Sequence, residues 1–344
     1  MRVLITGGTG FVGSHTIKAL ADSGHEVRMV VRRPEQVPVS LGLVGVDPSS
    51  VEIRTDAITD RAAMRSAADG CDAVVHAAAV YSWDPRKADE MERTNAAAAQ
   101  AVLTGAVDAG AARVVHVSST VALSRRGGGV VNGTAPPGDL DGSYIRSKVD
   151  SDRAVRALQA EGAPIVRVHP CAQYGPQDPY LNPSNAMIRD ILRGLYPMWP
   201  SGSLPWGDVR DSAATILAVL ERPGDPGEAW LTPCHNLADD GLKQGLRSVT
   251  GRRLPGVVLP GHALGAVLGW ARPVVKVLPD RVQPPLPQER STELAAEGTV
   301  FDDTATVEQL GVARRPLADA LSDTVRWMAA TGQVSAKQAG RAAT

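Results

Sequence analysis

The sequence predicts an α/β protein: a doubly wound parallel Rossmann sheet with a smaller, mostly helical C-terminal substrate lobe. Three observations predict it. Short apolar runs of β type alternate with helical stretches through the first half of the chain, the pattern of a parallel sheet with crossover helices. A glycine cluster falls between the first such run and the first helical stretch, where doubly wound folds bind their ligand. The 344 residues, 43% hydrophobic and 21% charged, suffice for about two domains of ordinary globular composition.

The elements follow in order. Residues 2–6 form the first run, and the glycines come directly after it, opening a helix over 11–23. Strands over 26–31, 51–54, 73–79 and 113–118 alternate with helices over 61–68 and 88–109, the second carrying an alanine run that permits close packing. A helix over 143–161 and a strand over 165–169 close a Rossmann domain of residues 1–169, completed by parts of 208–236. Right-handed crossovers place every strand's carboxyl end on one edge. Prolines and tryptophans then mark the substrate lobe, residues 170–207 and 237–331, with a helix over 211–222. Residues 332–344 are small and polar and are expected to form a flexible tail. The Gly- and Pro-rich segment 127–142 reads either as a mobile flap over the ligand edge or as a surface loop without a role.

Charge and cysteine content exclude several function classes. Lys plus Arg total 36 against 37 Asp plus Glu, a net charge of −1, so no basic field draws the protein to nucleic acid. Cys71, Cys171 and Cys234 are too few and scattered for a disulfide framework, which fits a reducing, cytoplasmic setting. The histidines lack ligand spacing, Cys234-His235 included, and no metal is expected. The chain turns glycine-rich too early for a signal-peptide core. The stretch 261–278 holds Arg272, Pro273 and Lys276, so no transmembrane segment is predicted and a helix buried in the lobe is the expectation.

Thr6-Gly7-Gly8-Thr9-Gly10-Phe11-Val12-Gly13 places backbone N–H groups and a helix dipole where a pyrophosphate can be held. The spacing fits Gly8, Gly10, Gly13 as GxGxxG or Gly7, Gly10, Gly13 as GxxGxxG. An NAD-selective site puts a carboxylate at the end of the second strand; this chain has Arg32-Arg33-Pro34, better suited to the 2′-phosphate of NADP(H). Glu35, one residue past the proline, leaves NAD(H) open. Asp56 after the third strand is placed to meet the adenine amino group.

Tyr144 and Lys148 stand at i and i+4, on one face of the predicted helix. A phenol with a pKa near 10 is a poor acid or base at neutral pH, but an adjacent ammonium stabilises the phenolate and makes it useful. Ser118-Ser119-Thr120 ends the fifth strand on the same edge, leaving Ser119 and Thr120 open as a hydroxyl at that edge.

TGGTGFVG, Asp56, His76-Ala77-Ala78-Ala79, Asn95, the Ser118-Ser119 pair and YIRSK resemble the extended branch of the short-chain dehydrogenase/reductase superfamily, the NAD-dependent epimerase/dehydratase family. Tyr174-Gly175-Pro176, Val209-Arg210-Asp211 and the segment 310–328 extend the likeness over most of the chain. The Arg after the second strand and Tyr81-Ser82-Trp83 look most like dihydroflavonol-reductase and 3β-hydroxysteroid-dehydrogenase members. The resemblance implies an enzyme acting on CH–OH or C=O groups, with Tyr144 as general acid/base, Lys148 holding the nicotinamide ribose, Ser119 on the substrate oxygen and Asn95 in support. It implies Gly7, Gly10, Phe11, Val12, Gly13, Ala57, Ala77, Ala78 and Pro170 at the cofactor. It also implies a homodimer formed through the helices over 88–109 and 143–161. His169-Pro170 departs from the family's common Arg-Pro, and Ser143 replaces a proline many members carry. Tyr81, Trp83 and Tyr174, with Tyr180, Met187, Trp199 and Trp206, suit a largely apolar small-molecule substrate. Two other readings stay open: a nucleotide-sugar epimerase or dehydratase with tightly held NAD, served by Arg189, Arg193 and Arg210, and a non-catalytic NADP sensor or scaffold.

Overall fold

The computed structural model describes residues 1–80, 88–222, 227–260, 264 and 294–343, with the side chains of 88–92 and 143 outside the description. Tyr81, Trp83 and nearly all of the apolar stretch 261–278 fall outside it. Seven strands form a parallel sheet in the order β11-β7-β5-β4-β1-β2-β3. These are β1 (Arg2–Thr6), β2 (Glu26–Val30), β3 (Val51–Arg54), β4 (Ala73–His76), β5 (Arg113–Val117), β7 (Ile165–His169) and β11 (Ala229–Leu231). The order reverses between β1 and β4, the switch point at which such sheets open a crevice. β4 and β7 are buried at every position, as expected of inner strands of a parallel sheet covered on both faces, although Arg167 and His169 make β7 partly polar.

Helices cover both faces. On one, Ile17 and Leu20 of α1 (Phe11–Asp22) and Ile216 and Val219 of α7 (Val209–Glu221) pack on Ile5, Val75 and Val115. On the other, Met64 of α3 (Arg61–Ala68), Leu103 of α4 (Ala88–Asp108) and Val155 of α5 (Ser143–Ala160) pack on Leu4, Val74 and Val114. The predicted elements recur with small changes at their ends. β4 stops at His76 because Ala77 and Ala78 bend to pass against Gly7, where a Cβ would lie 2.6 Å from the Ala77 carbonyl carbon.

The lobe has its own core, in which Tyr174, Trp199 and Trp206 pack with Leu242 and Leu246 of α8 (Gly241–Thr250) and with Leu321, Val325 and Met328 of the helix Leu317–Ala330. One sequence expectation fails here. The tail is not frayed: Ser335 and Gln338 close a capping box, and Val334, Ala339 and Ala342 are buried in the lobe core. Small side chains that look uninformative locally are what allow this close approach. Arg193 and Arg252 fasten the tail further, donating to the carbonyls of Gln333 at 2.7 Å and Gln338 at 2.6 Å.

The segment 127–142 is likewise held down. Its strand β6 (Gly129–Val131) pairs in parallel with β14 (Thr299–Phe301), and the Gly127 N–H donates to the Glu297 carboxylate at 2.7 Å. Gly138 donates to Ala122 at 2.7 Å. Gly128, in left-handed conformation at φ 65°, leaves no room for a Cβ beside the Glu297 carbonyl, so this glycine permits a close backbone approach. Among the described residues no helix is long and apolar enough to cross a membrane.

A chain ending at Gly332 should unfold at least about 5 °C below the full chain in differential scanning fluorimetry, because the lobe core loses three buried side chains. Equal melting temperatures would return the tail to the frayed state its composition suggests.

Candidate active site

The loop after β1 turns on Gly7, whose φ of 78° suits glycine, and the Gly10 N–H donates to the Gly7 carbonyl at 2.9 Å. Any Cβ on Gly13 would collide with that same carbonyl, whereas one on Gly8 would meet Ile17 and Met29 in the core. Gly7, Gly10 and Gly13 therefore shape the loop, and Gly8 packs beneath it. α1 begins at Phe11 with no side-chain cap and no acidic residue in its first turn. Its leading N–H groups and positive dipole end are left for an anion from outside the chain, which fits a dinucleotide pyrophosphate. Ser40 braces the turn by donating to the Thr9 carbonyl at 2.9 Å.

Arg32 and Arg33 are exposed just beyond β2 and have no ion-pair partner among the described residues, so both are free to meet a phosphate. Asp56 is engaged by Arg54 at 2.6 Å. Ala57 follows it, and Ala77 and Ala78 line the crevice against Gly7.

α5 presents Tyr144, buried, and Lys148, part-buried, on one face. Burial lowers the Lys148 ammonium to a pKa of about 8, since a charge withdrawn from water is disfavoured. Of the two candidate hydroxyls, Thr120 is 3% exposed while Ser119 is half-buried at the N-cap of the short turn Thr120–Leu123. Ser119 is therefore the accessible one. The Thr120 N–H donates to the Pro170 carbonyl at 2.9 Å, joining this strand end to the end of β7. Asn95 of α4 works as a clamp. Its side-chain oxygen accepts from the Val80 N–H at 2.7 Å, and its amide donates to the Val80 carbonyl at 3.0 Å and to Ser147 at 2.9 Å.

A buried polar cluster under α5 was not anticipated from the sequence. Asp152, four residues after Lys148, accepts from Arg156 at 2.6 Å and Arg167 at 3.1 Å and pairs with His169 at 3.1 Å. Burial by itself would raise the Asp152 carboxyl, but the His169 hydrogen bond and the neighbouring guanidiniums carry it well below the carboxylate range. His169 is thus a buried strand residue. The one available signal was Asp152 at i+4 from Lys148 on the same helical face.

The aromatic residues assigned to substrate divide. Tyr174 is fully buried, its ring 6.3 Å from Trp206 in the lobe core, and Trp199 is buried there too. Met187 is half-buried and Tyr180 exposed. Tyr174 and the tryptophans are thereby structural members of the lobe rather than surfaces open to a ligand.

This is the architecture of a Rossmann-type dinucleotide-binding protein with a tyrosine–lysine pair at its ligand edge. The model of the NAD dependent epimerase/dehydratase family matches residues 3–231. The chain belongs to that family and is an enzyme of its NAD(P)-dependent short-chain dehydrogenase/reductase type. It is 27% identical over 336 residues to a putative dihydroflavonol 4-reductase of Synechocystis sp., covering 96% of this chain and 95% of the relative. It is 26% identical over 336 residues to sterol demethylase protein B of Methylococcus capsulatus, covering 97% and 100%. The dTDP-glucose 4,6-dehydratase DesIV of Streptomyces venezuelae, solved with NAD and TYD bound, superposes with a TM-score of 0.71 at 24% identity over 95% of this chain and 97% of that one. At that identity the likeness shows the fold alone.

Gly13→Ala should weaken dinucleotide binding at least about tenfold in a fluorescence titration, because the loop must open to admit the methyl group. An unchanged affinity would mean that the loop does not hold the pyrophosphate.

Proposed function

We propose that the protein is an NADP-dependent reductase or dehydrogenase acting on a carbonyl or secondary alcohol of a largely apolar small molecule. The observation that carries the reading is the combination of an uncapped glycine loop at the sheet's switch point with α5 carrying Tyr144 and Lys148 one turn apart. The cofactor supplies hydride chemistry when bound. In reduction, the Tyr144 hydroxyl gives its proton to the carbonyl oxygen, and in oxidation the phenolate takes it back. Ser119 donates a hydrogen bond to the same oxygen, polarising the carbonyl. Lys148 stabilises the phenolate and holds the ribose. Asn95 fixes the backbone at Val80 against the helix that carries both groups.

Electrostatics favour an apolar substrate over a nucleotide sugar. A diphosphate needs free cations, yet Arg210 is bound to Asp208 at 2.6 Å and to Asp323 at 2.7 Å, Arg189 to Asp190 at 2.7 Å, and Arg193 to the tail. The names of the dihydroflavonol-reductase and sterol-demethylase relatives point the same way. The epimerase or dehydratase reading keeps the support of the family and the solved dehydratase. The intact Tyr144, Lys148 and Ser119 argue against a non-catalytic scaffold. A homodimer through α4 and α5 belongs to the same proposal.

Tyr144→Phe keeps the ring and removes the transferable proton. Turnover of apolar ketones should fall about 10²- to 10⁴-fold, with dinucleotide affinity nearly unchanged; near-wild-type turnover would defeat the assignment. In calorimetry the NADPH-loaded enzyme should bind hydrophobic ketones and ignore UDP- and dTDP-sugars, and the reverse pattern would favour the epimerase reading.

Arg32→Ala should weaken NADPH binding about tenfold, the value of a lost charge-assisted hydrogen bond, and leave NADH little altered. Equal wild-type affinity for the two dinucleotides would remove the NADP preference.

A further inference from the structure

The turn that opens the C-terminal lobe is tied to the helix that opens the glycine loop. β8 (Ala172–Tyr174) runs into Gly175-Pro176 and a turn that ends where α6 (Pro183–Leu192) begins. The buried His15 of α1 places its Nε2 3.1 Å from the Pro176 carbonyl oxygen. A carbonyl can only accept, so Nε2 carries the proton. Burial lowers His15 to a pKa of about 4, against the upward pull of that hydrogen bond and of Asp208, and the ring stays neutral at neutral pH. Phe11, the first residue of α1 after the glycine turn, meets the His15 ring edge to face with centroids 5.3 Å apart. Its Cζ lies 3.6 Å from the point where Gly175 would carry a Cβ. Gly175, at φ 146°, lets the backbone pass close to that ring.

The far side of the turn is fixed by the lobe. Gln177 and Leu181 hold φ at 60° and 50°, left-handed conformations that residues other than glycine adopt under strain. The buried Asp178 carboxylate maintains them, accepting from the Tyr180 N–H at 3.1 Å, the Asn182 N–H at 2.7 Å and the Asn185 side-chain amide at 2.9 Å. Asn185, on α6, also accepts from the Gly175 N–H at 3.2 Å and donates to the Gly175 carbonyl at 3.0 Å. Toward the Rossmann half, Pro176 is met by His15 and Gly175 by Phe11. Strained backbone persists only where its surroundings hold it, and such segments gather at ligand clamps and switches.

We propose that His15 is a positioning residue that couples the glycine loop to the turn of residues 175–182, so that a bound dinucleotide and the tied turn stabilise one another. The proposal rests on reading the glycine loop as the dinucleotide site. A dinucleotide on the leading N–H groups of α1 steadies the helix start that carries Phe11 and, one helical turn later, His15. The steadied pair holds Gly175 and Pro176, and with them the strained turn. Coupling of this kind is reciprocal: the factor by which the dinucleotide slows opening of the turn is the factor by which its affinity falls when the tie is cut.

The test is amide hydrogen exchange of the full chain, read on peptides across 174–182 and on α8 as a control, with and without NADPH and, in parallel, NADH. His15→Phe keeps a ring and removes the donor. Without dinucleotide its exchange across 174–182 should rise about fivefold, the value of one hydrogen bond, while α8 stays unchanged. His15→Gln offers an amide donor again and should restore slow exchange. In the wild type a saturating dinucleotide should slow the turn at least about fivefold further; His15→Phe should lose that response and bind the dinucleotide more weakly by the same factor. His15→Asn, too short to reach Pro176, takes its place if His15→Phe does not fold. Exchange across 174–182 that is unchanged in these variants, or raised equally in α8, would overturn the proposal, as would a dinucleotide response that survives the loss of His15. A wild-type protein that bound neither dinucleotide would defeat the cofactor reading, and the exchange difference without dinucleotide would still decide the tie.

Discussion

A single buried carboxylate, Asp152, holds the helix that carries Tyr144 and Lys148 to the sheet. Its side chain is wholly removed from water and meets Arg156 from its own helix and Arg167 and His169 from β7. An isolated charge in that place would be prohibitive, and deleting one partner of such a cluster costs about 3 to 5 kcal/mol because another charge is stranded. The geometry is correspondingly strict. Asp152 lies two helical turns from Tyr144 and one from Lys148, so a shift that moved either would break the cluster. Arg167 extends the hold by donating to Gln159 at 2.9 Å, and Gln159 in turn donates to the Ile165 carbonyl at 2.8 Å.

The remaining parts of the site lean on this frame. β7 ends in His169 and runs into Pro170, whose carbonyl receives the Thr120 N–H, so the strand that grips Asp152 also sets the turn that Ser119 caps. Asn95 ties the same helix to the backbone after β4. Gly7 presses against Ala77 on the other side of the switch point. Helix, hydroxyl turn and phosphate loop are thus connected by backbone contacts that leave little independent motion to any of them.

Much of the Rossmann half was legible in the sequence because its signals are local. Short β-type runs such as 2–6 and 113–118 and the glycine turn after residue 6 need no knowledge of distant residues. Tyr144 and Lys148 were legible for the same reason, as an i, i+4 pair. The greater exposure of Ser119 than of Thr120, and the Cβ collisions that set Gly8 apart from Gly7 and Gly13, are properties of the folded chain. The tail was misread, and the 127–142 segment left open between two readings, because small, polar and glycine-rich composition is compatible with both disorder and tight packing; the partners at Gln338, Glu297 and β14 show only in the fold. The Asp152 cluster escaped because it joins residues of α5 and β7 whose compatibility shows only in three dimensions. Tyr174 resembled a ligand contact by residue type, yet its ring serves the lobe.

The pairing of β6 with β14 bears on how the protein is made. A ribosome releases β1 to β5, which are contiguous in the sheet, before any of the later strands that complete the fold. The connection between Ser119 and Tyr144 cannot be fastened at that stage, since Gly127 waits for Glu297, 170 positions downstream. Long-range closure of this kind is slow and comes late. The glycine loop after β1 is therefore synthesised and shaped well before the connection between Ser119 and Tyr144 is held in place.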